Sequence, residues 1–416
     1  MTSNTAQELF QEREQRIMNA IHLEPPDRVP IMVAFTYFPG KYAGVPFKAA
    51  WYDHDKWLAA TMKTICDFAP DGIWSIQGFN PGAVLEILEP KTQKWPGWGL
   101  PDNRDHQAIE VAAMQGEEYD RYFNDKGDFT FRTMFGRMVG AAEPFKKLPP
   151  LSSMTSTMGA MSLAEALVDP EVAGAIEKFQ KAGRMLKELR PKMKNFYAEA
   201  EARGFPCPRA PGGGAPFDAI SDWLRGMQGA MTDMYRYPGK LHRVLDERLQ
   251  ATLAMLDSVP KMTKPARALM PLHRGSDGFM SLKQFEEFYW PHLKAIMLKM
   301  IEKGITPCPF LEGTWDQRLE YLLELPKGKV LAHFAYSDMK KAKDVLGGHL
   351  CIMGGVPSSI LSTGTAQQVE DYVKDLMKYC AKAGGLIVAN NTINEGKPEC
   401  VRAMIETVKK YGAQYL

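Results

Sequence analysis

The chain has 416 residues, of which 45% are hydrophobic and 24% charged, and its 51 basic and 49 acidic residues leave a net charge of +2. This composition is typical of a globular protein with ample apolar material for a core. No basic block alternates with aromatic residues, so we expect no nucleic-acid partner. No apolar run approaches the ~18 residues of a membrane span, so we expect no contact with a membrane.

The N-terminal segment, residues 1–21, is polar and charged and has the periodicity of an amphipathic helix. It lacks the apolar stretch of a secretory signal, which predicts a cytoplasmic protein. The six cysteines are scattered and include no Cys-x-x-Cys spacing. That pattern is typical of reduced thiols in a cytosolic protein.

Apolar runs of strand length recur along the chain, each bounded by Gly, Pro or charged residues. Eight are present: 28–35, 72–78, 205–211, 267–273, 305–312, 329–334, 350–354 and 385–390. Segments with helical periodicity lie between most of them, and strands that alternate with helices form parallel sheets. Eight such units predict a TIM (β/α)8 barrel with N-terminal helices. The third run is the weakest strand, because its prolines cannot donate to a ladder.

The second and third strands are separated by roughly 125 residues, far more than an ordinary loop. We therefore predict a long, mostly helical insertion over about residues 80–200 that helps to wall the pocket. No polar linker marks a boundary, so residues 1–416 are predicted to form a single domain. Two helix starts carry the capping-box pattern, Ser281 with Gln284 and Thr365 with Gln368.

Two polar residues end neighbouring strands of the predicted barrel. Glu312 closes the run 305–312, and His333 lies near the end of the run 329–334. Because TIM barrels place their chemistry at the C-terminal ends of the strands, we expect this carboxylate and imidazole to lie side by side as metal ligands or as an acid–base pair. The alternatives are an ion pair of Glu312 with Arg318 and a core histidine bonded to the backbone.

Further polar residues lie at or near other strand ends. His273 ends the run 267–273 and is a candidate third metal ligand, acid–base group or substrate contact. Asp277 is a candidate to orient a base or to accept a hydrogen bond from the substrate. The Gly-rich segment 212–218 reads as an ordinary loop, since it lacks the ending of a P-loop. The residues expected to bind substrate in a broad apolar pocket are Tyr37, Gln77, Asn80, Phe217 and Asn391.

The segment GGVPSSILSTGTAQQVEDYVKDLMKYCAKAGGLIVANNT (354–392) and the segment DRVPIMVAF (27–35) resemble the uroporphyrinogen decarboxylase superfamily, whose fold is a TIM barrel. True decarboxylases of that superfamily carry an N-terminal arginine-rich motif that binds porphyrin carboxylates. The corresponding stretch here, FTYFPGKYAG (35–44), contains no arginine. Porphyrinogen decarboxylation is therefore not expected, because a polyanionic substrate needs guanidinium partners.

The chain is more similar to the corrinoid-dependent methyltransferases of the superfamily. One subgroup binds zinc, which activates a thiol methyl acceptor, through His-x-Cys and a later Cys. At the equivalent strand end this chain has Phe310-Leu311-Glu312 instead. A thiol methyl acceptor is therefore not expected. The methyltransferase component of anaerobic O-demethylases has a zinc-binding motif of two Glu and one His, in which fourteen residues separate the two Glu and twenty residues separate the second Glu from the His. Glu312 and His333 match the second half of that motif, and Met297 stands where the first Glu would be. The resemblance implies zinc on Glu312 and His333, with His273 or Glu302 as possible replacement ligands, or a site without metal.

The resemblance implies a methyltransferase that moves a methyl group from a small methyl ether, preferably an aromatic one, or from a similar methyl donor to the Co(I) corrinoid (cobalamin) of a partner protein. The leaving oxygen would be activated by the metal, or by His273 or His333 as proton donor, oriented by Glu312 or Asp277. The other hypotheses are a lyase or decarboxylase that binds a small carboxylate through Arg274 and Arg225, and a catalytically silent binding module. A homodimer is common in the superfamily and is a further expectation.

Overall fold

A single parallel sheet of seven strands organises the molecule. The structure, a computed structural model, describes residues 5–76, 80–207 and 210–416. The strands in chain order are β1 Ile31–Phe35, β2 Gly72–Ile76, β3 Gln93–Pro96, β4 Gly99–Leu100, β5 Gln107–Ala108, β6 Arg267–Leu272, β7 Thr306–Leu311, β8 Leu331–Phe334, β9 Cys351–Val356 and β10 Leu386–Asn390. The large sheet has the order β2-β1-β10-β9-β8-β7-β6, and all of its pairs are parallel. Seven of the eight expected strands are therefore confirmed, as is the α/β barrel class.

The run 205–211 connects the two edges of this sheet without a regular strand in its described residues. The amide of Ile73 in β2 donates to the carbonyl of Pro206 (3.0 Å), and the amide of Ala210 donates to the carbonyl of Arg267 in β6 (3.1 Å). These two bonds close the barrel. A continuous ladder is prevented because Pro206 has no N–H to donate, so the prediction of a strand here is wrong in its regular form.

The barrel interior is apolar and is covered at its N-terminal end by the first helix, Ala6–His22. Residues alternate between the interior and the outer core along each strand, as parallel strands under helices require. The interior cluster consists of Ile17, Met18, Ala20 and Ile21 from the helix and Met32, Ala34, Trp74, Cys308, Leu331, Cys351, Met353, Ile387 and Ala389 from the strands. The ends of β6 and β7, at Leu272 and Leu311, lie at the opposite, C-terminal rim.

Helices surround the sheet and fill the insertion. The α-helices are Ala6–His22, Phe38–Ala43, Ala49–Tyr52, His54–Phe68, Gly82–Leu88, Tyr119–Asn124, Lys126–Phe129, Phe135–Met138, Thr157–Leu167, Pro170–Ala202, Pro216–Ile220, Gly226–Arg236, Pro238–Ser258, Leu282–Gln284, Trp290–Glu302, Met339–Leu346, Ser358–Thr363, Ala366–Cys380 and Pro398–Tyr411. The 3-10 helices are Gly116–Glu118, Gly140–Lys147, Leu151–Thr155, Leu319–Glu324 and Gly412–Tyr415, and the π-helical turns are Thr130–Met134, Ser221–Arg225 and Phe285–Tyr289. Both capping boxes are confirmed, since Ser281 and Thr365 each accept from the amide three residues on.

The insertion is mostly helical, as expected, and also contains a small sheet in which β3 pairs with β4 and β5. Its longest helix, Pro170–Ala202, packs against the helices Gly82–Leu88 and His54–Phe68. No helix in the described part of the chain combines the length and the apolarity that a bilayer span requires. The single-domain assignment of residues 1–416 stays a prediction.

Candidate active site

The turn that follows β6 is fixed by one buried carboxylate, Asp218. It accepts hydrogen bonds from the amides of His273 (2.8 Å) and Arg274 (2.9 Å) and from the hydroxyl of Tyr289 (2.8 Å). Asp218 is only 4% exposed, and burial raises its pKa to about 6 while these bonds oppose the rise. The backbone position of His273 at the barrel rim is thus determined by a side chain from the helix Pro216–Ile220.

The ring of His273 is oriented by a second carboxylate, Asp222. Nδ1 of His273 lies 2.7 Å from Oδ2 of Asp222, whose other oxygen accepts from Nη2 of Arg274 at 3.1 Å. The hydrogen bond to Asp222 raises the pKa of His273 to about 8; burial opposes the rise, and the charge of Glu312 adds to it. His273 is therefore a positioned imidazolium near neutral pH.

Glu312, the residue after β7, lies on the other side of the same ring. Its Oε1 is 3.8 Å from Nε2 of His273, beyond hydrogen-bond distance. Burial raises the pKa of Glu312, and the neighbouring charges of His273 and Arg274 oppose the rise. Because Asp222 occupies only Nδ1, the proton on Nε2 is not committed to a close partner. A substrate oxygen beside Nε2 would meet a cationic donor held between two carboxylates.

His273 opens onto two adjoining cavities that share Asp222 and Trp223. The cavity toward the insertion has a volume of about 530 Å³ and is lined by Thr92, Gln93, His106, Ala108, Ile109, Glu110, Ser221, Asp222, Trp223, Met227, His273 and Arg274. The cavity toward the helix Pro238–Ser258 has a volume of about 490 Å³ and is lined by Gly214, Ala215, Pro216, Asp218, Ala219, Asp222, Trp223, Arg248, Ala251, Thr252, Met255, Pro271 and His273. Both volumes suit a small organic substrate, and the first supports the expectation that the insertion walls the pocket.

His333 is placed apart from this cluster. Its register partner in β7 is Phe310, so Glu312 stands two residues further along the strand, roughly 7 Å toward the rim. The His333 ring is fully buried and contacts the rings of Phe310 (4.7 Å between centroids) and Trp74 (5.3 Å). Neither ring nitrogen is within hydrogen-bond geometry of a described residue. Burial lowers the pKa of His333 to about 3, and the nearby backbone of Asn390 opposes the shift. No described contact joins Glu312 to His333, so the expected side-by-side pair is not formed.

Replacement of His333 by leucine is expected to leave the free energy of unfolding unchanged or to raise it by up to ~2 kcal/mol. Leucine removes two buried nitrogens without partners, each of which costs about 1–3 kcal/mol of desolvation. Urea unfolding measures the change, with Met353→Leu as a volume-conserving control in the same interior. If elemental analysis finds a metal in the parent protein that is absent from His333→Leu, His333 is a metal ligand and this account of it is wrong.

The metal expected from the sequence finds no matching ligand set in this geometry. Within residues 5–76, 80–207 and 210–416, no group of three or more His, Cys, Asp or Glu side chains is arranged to hold a metal ion. The two proposed zinc ligands, Glu312 and His333, face different neighbours. Zinc at these residues stays a prediction.

Asp277 has a structural position instead of the expected catalytic one. Its carboxylate forms a close ion pair with Arg318, which is 1% exposed and also donates to the carbonyl of Met280 (2.5 Å). The second oxygen of Asp277 accepts from the amide of Gln317 at 3.3 Å. Asp222, not Asp277, orients His273. Arg318 is thus the partner of Asp277 and not of Glu312.

Two of the expected substrate-binding residues lie in packed surroundings. Phe217 is 1% exposed in the main core, where its ring faces that of Tyr289 at 6.2 Å. Asn391 is 5% exposed and donates to the carbonyl of Ala335 at 2.6 Å. Neither side chain lines the two cavities at His273, so the structure gives both a packing role.

Tyr37 and Asn80, two more of the expected substrate-binding residues, lie near the N-terminal strands. Tyr37 is buried, and its hydroxyl lies 3.3 Å from Nδ1 of His106, which does line the larger cavity. The carbonyl of Asn80 lies 3.1 Å from Nε2 of His54, and its side-chain nitrogen has no described partner. Gln77 lies outside the described residues. Tyr37 itself is not among the residues that line the larger cavity, so its role in substrate binding stays a prediction.

Sequence reasoning missed Asp218, Asp222 and His106. The two aspartates are four residues apart, a spacing that brings side chains to one face of a helix, and they follow the Gly-rich loop; that pairing was the available signal. His106 begins the stretch 106–123, which the sequence predicts to be helical, whereas the structure has the short strand β5 at Gln107–Ala108. Only the folded insertion brings it to the cavity.

Comparisons with known proteins agree with the fold. A family model described as uroporphyrinogen decarboxylase (URO-D) matches residues 206–411, which include β6 to β10 and both His273 and Glu312. Among solved structures, the chain is similar to a methyltransferase from Methanosarcina mazei, with a TM-score of 0.57 and 14% sequence identity over 96% of this chain and 98% of that one. At this identity the likeness concerns the fold. No curated protein sequence matches the chain.

Proposed function

We propose that this chain, whose residues 206–411 match the family model described as uroporphyrinogen decarboxylase, transfers a methyl group from a small oxygen-methylated donor, such as an aromatic methyl ether, to the corrinoid of a partner protein. The Co(I) corrinoid would supply the nucleophile that takes the methyl group. The task of this chain is then to bind the donor and to make its oxygen an acceptable leaving group. That task calls for a proton donor at the oxygen.

One observation carries the proposal: His273 stands at the barrel rim with Nδ1 held by Asp222 at 2.7 Å and with Nε2 directed away from that bond. A pKa of about 8 keeps the ring protonated at neutral pH. As the bond between the methyl carbon and the donor oxygen breaks, negative charge develops on that oxygen. The Nε2 proton passes to it, and the neutral imidazole remains bonded to Asp222.

Glu312 and the cavity support the same assignment. The Glu312 carboxylate, 3.8 Å from Nε2, favours the charged form of the ring before transfer. Apolar side chains of the larger cavity, such as Ile109, Trp223 and Met227, offer contact area for the carbon skeleton of the donor. Trp223 is 59% exposed, which leaves this side of the site open to a large partner.

The proposal is tested by mixing the purified protein with free cob(I)alamin, kept reduced by titanium(III) citrate, and with guaiacol (2-methoxyphenol) as methyl donor. We expect the absorbance of methyl-cobalt to appear at a rate proportional to protein concentration. A rate equal to that of the mixture without protein would contradict the proposal.

A second candidate, a lyase or decarboxylase of small carboxylates, is favoured by one observation. Arg274 lines the larger cavity, where a guanidinium is available to an acid. Arg225, the other arginine considered for that role, is 7% exposed, is paired with Asp233 at 2.6 Å and donates to the carbonyl of Met114. CO2 release from a small carboxylic acid, without methyl-cobalt from any donor, would select this candidate.

The rate of methyl transfer is expected to fall as the pH rises through about 8. The pKa of His273 is raised above its usual value of 6.5, so the proton is present below pH 8 and lost above it. The same linkage gives stability that is fully present below pH ~6.5 and disappears through pH 8. Single-turnover rates between about pH 6 and 10 measure the profile. Asp222→Asn should move the fall to lower pH, and a profile without a change near pH 8 would contradict the role of His273.

A further inference from the structure

The turns that carry His273 and Glu312 are joined by one buried indole, that of Trp315. Its Nε1 donates to the carbonyl of Glu312 at 3.0 Å, and the side chain is 0% exposed. The turn after β6 lies against the same indole: a Cβ at Gly275, two residues after His273, would stand 2.5 and 2.6 Å from Cη2 and Cζ2 of Trp315. Only glycine lets the backbone approach the ring this closely. Trp315 therefore contacts the backbone of both turns.

The indole is itself held in place by neighbouring elements. The amide of Trp315 donates to Oγ of Ser337, which follows β8, at 2.8 Å. The ring centroid lies 5.7 Å from that of Phe285 and 6.1 Å from that of Tyr289, and both pairs have the T-shaped geometry that aromatic rings favour. Because such a close-packed ring cannot yield, the two turns take their positions from it.

Two backbone features further along the same turns join them again. The amide of Asp277 donates to the carbonyl of Thr314 at 2.8 Å. Gly313 has a φ of +72°, and a Cβ there would stand 2.8 Å from Cβ of Ser276. Neither feature uses the Asp277 side chain, so both survive its removal. Of these connections, Trp315 lies nearest along the chain to the two residues at the rim.

The joined turns maintain the distance of 3.8 Å between Nε2 of His273 and Oε1 of Glu312. At this distance the charge of the carboxylate favours the imidazolium, but Nε2 does not hydrogen-bond to it. A shorter distance would commit the Nε2 proton to Glu312, and a longer one would weaken the interaction of the two charges. A proton that is stabilised on the ring and yet free to be donated therefore needs a fixed separation.

We propose that Trp315 is a positioning residue, which fixes the separation between Nε2 of His273 and the carboxylate of Glu312 by holding the backbone of both turns. Trp315 is not among the residues that line the two cavities at His273, so it acts through these two residues and not on a ligand. The separation is a property of the protein alone. Only its consequence for methyl transfer rests on the proposed function.

Histidine-ring ¹H–¹⁵N spectra, recorded without donor or corrinoid, test the separation. At about pH 6, where the ring of His273 is protonated, Glu312→Gln should move the Nε2 resonance of His273, because it removes a charge 3.8 Å away. In the Trp315→Phe background the same substitution should move that resonance by less than half as much. Phenylalanine cannot donate to the carbonyl of Glu312, and it leaves space beside Gly275.

Two further backgrounds make this comparison specific. Trp95→Phe is the matched control, since Trp95 is also 0% exposed and donates from Nε1 to the hydroxyl of Tyr52 at 3.0 Å, within the insertion. It should leave the response to Glu312→Gln complete. Gly275→Ala displaces the turn from the opposite side and should reduce the response, so the test does not depend on the folding of Trp315→Phe. A complete response in either folded rim variant, or no response in the parent background, would overturn the inference.

The consequence for catalysis is read from single-turnover rates of methyl-cobalt formation at increasing donor concentration. We expect Trp315→Phe to lower the maximal rate roughly 10- to 100-fold, as small displacements of reacting groups do, and to leave the half-saturating donor concentration unchanged. An unchanged maximal rate with weaker donor binding would contradict the positioning role. If the parent protein forms no methyl-cobalt while the spectra respond as expected, the proposed function alone fails.

Discussion

His273→Ala is expected to lower the rate of methyl transfer by about 10²- to 10⁴-fold, the range typical of the loss of a general acid. The imidazolium is the group proposed to meet the charge on the departing oxygen, because Asp222 holds its Nδ1 at 2.7 Å and its pKa of about 8 keeps the ring protonated at neutral pH. The single-turnover rate of methyl-cobalt formation measures this loss.

Two further variants show whether the loss of rate in His273→Ala is specific to this imidazole. His242→Ala removes an exposed histidine that pairs with Glu287 on the helical surface, and it should keep the parent rate. Asp222→Asn keeps the imidazole but weakens its orientation and its charge, so we expect a smaller loss than in His273→Ala. A His273→Ala protein that folds and transfers methyl groups at the parent rate would remove His273 from the mechanism.

Asp277→Ala is expected to lower the free energy of unfolding by about 3–5 kcal/mol. The substitution leaves the guanidinium of Arg318, which is 1% exposed, as a buried charge without its carboxylate. The rate per folded molecule should stay close to that of the parent, because Asp277 contacts neither His273 nor the cavities. Urea unfolding and the methyl-transfer rate, measured on the same preparation, separate the two effects.

The matched control for this prediction is Asp338→Ala. Asp338 caps the helix Met339–Leu346 by accepting from two amides, and it is exposed. Loss of such a cap costs about 1 kcal/mol, so the control should be clearly milder. An Asp277→Ala protein that is as stable as the parent but inactive would contradict this prediction and indicate a catalytic role for Asp277.

The strands were predictable because their signal is local. Each run of apolar residues between turn-forming residues, such as 305–312, corresponds within one or two residues to a strand of the barrel, here Thr306–Leu311. The run 205–211 shows the limit of this signal. Its position between β2 and β6 was correct, and its hydrogen bonds to both edges close the barrel, but a proline backbone cannot form the regular ladder.

The site was predictable in part, since strand ends meet at one rim and Glu312 and His273 do lie there. The partner of Glu312 was not predictable, because a residue at a strand end can contact side chains of either neighbouring strand. Glu312 turns toward β6, where Asp222 maintains a cation on His273, while His333 lies deeper, beside Phe310. That choice depends on Asp222, which is about fifty residues away from His273 in sequence, and no local pattern encodes it.

The central claim, proton donation by His273 to the leaving oxygen, is tested most directly by a series of aryl methyl ethers whose phenols differ in acidity. The rate of methyl-cobalt formation is measured for the parent protein and for His273→Ala, from anisole to 4-nitroanisole. We predict that the loss in His273→Ala is largest for anisole and shrinks as the phenol becomes more acidic, because a good leaving group needs no proton. An equal loss for every ether would contradict the account.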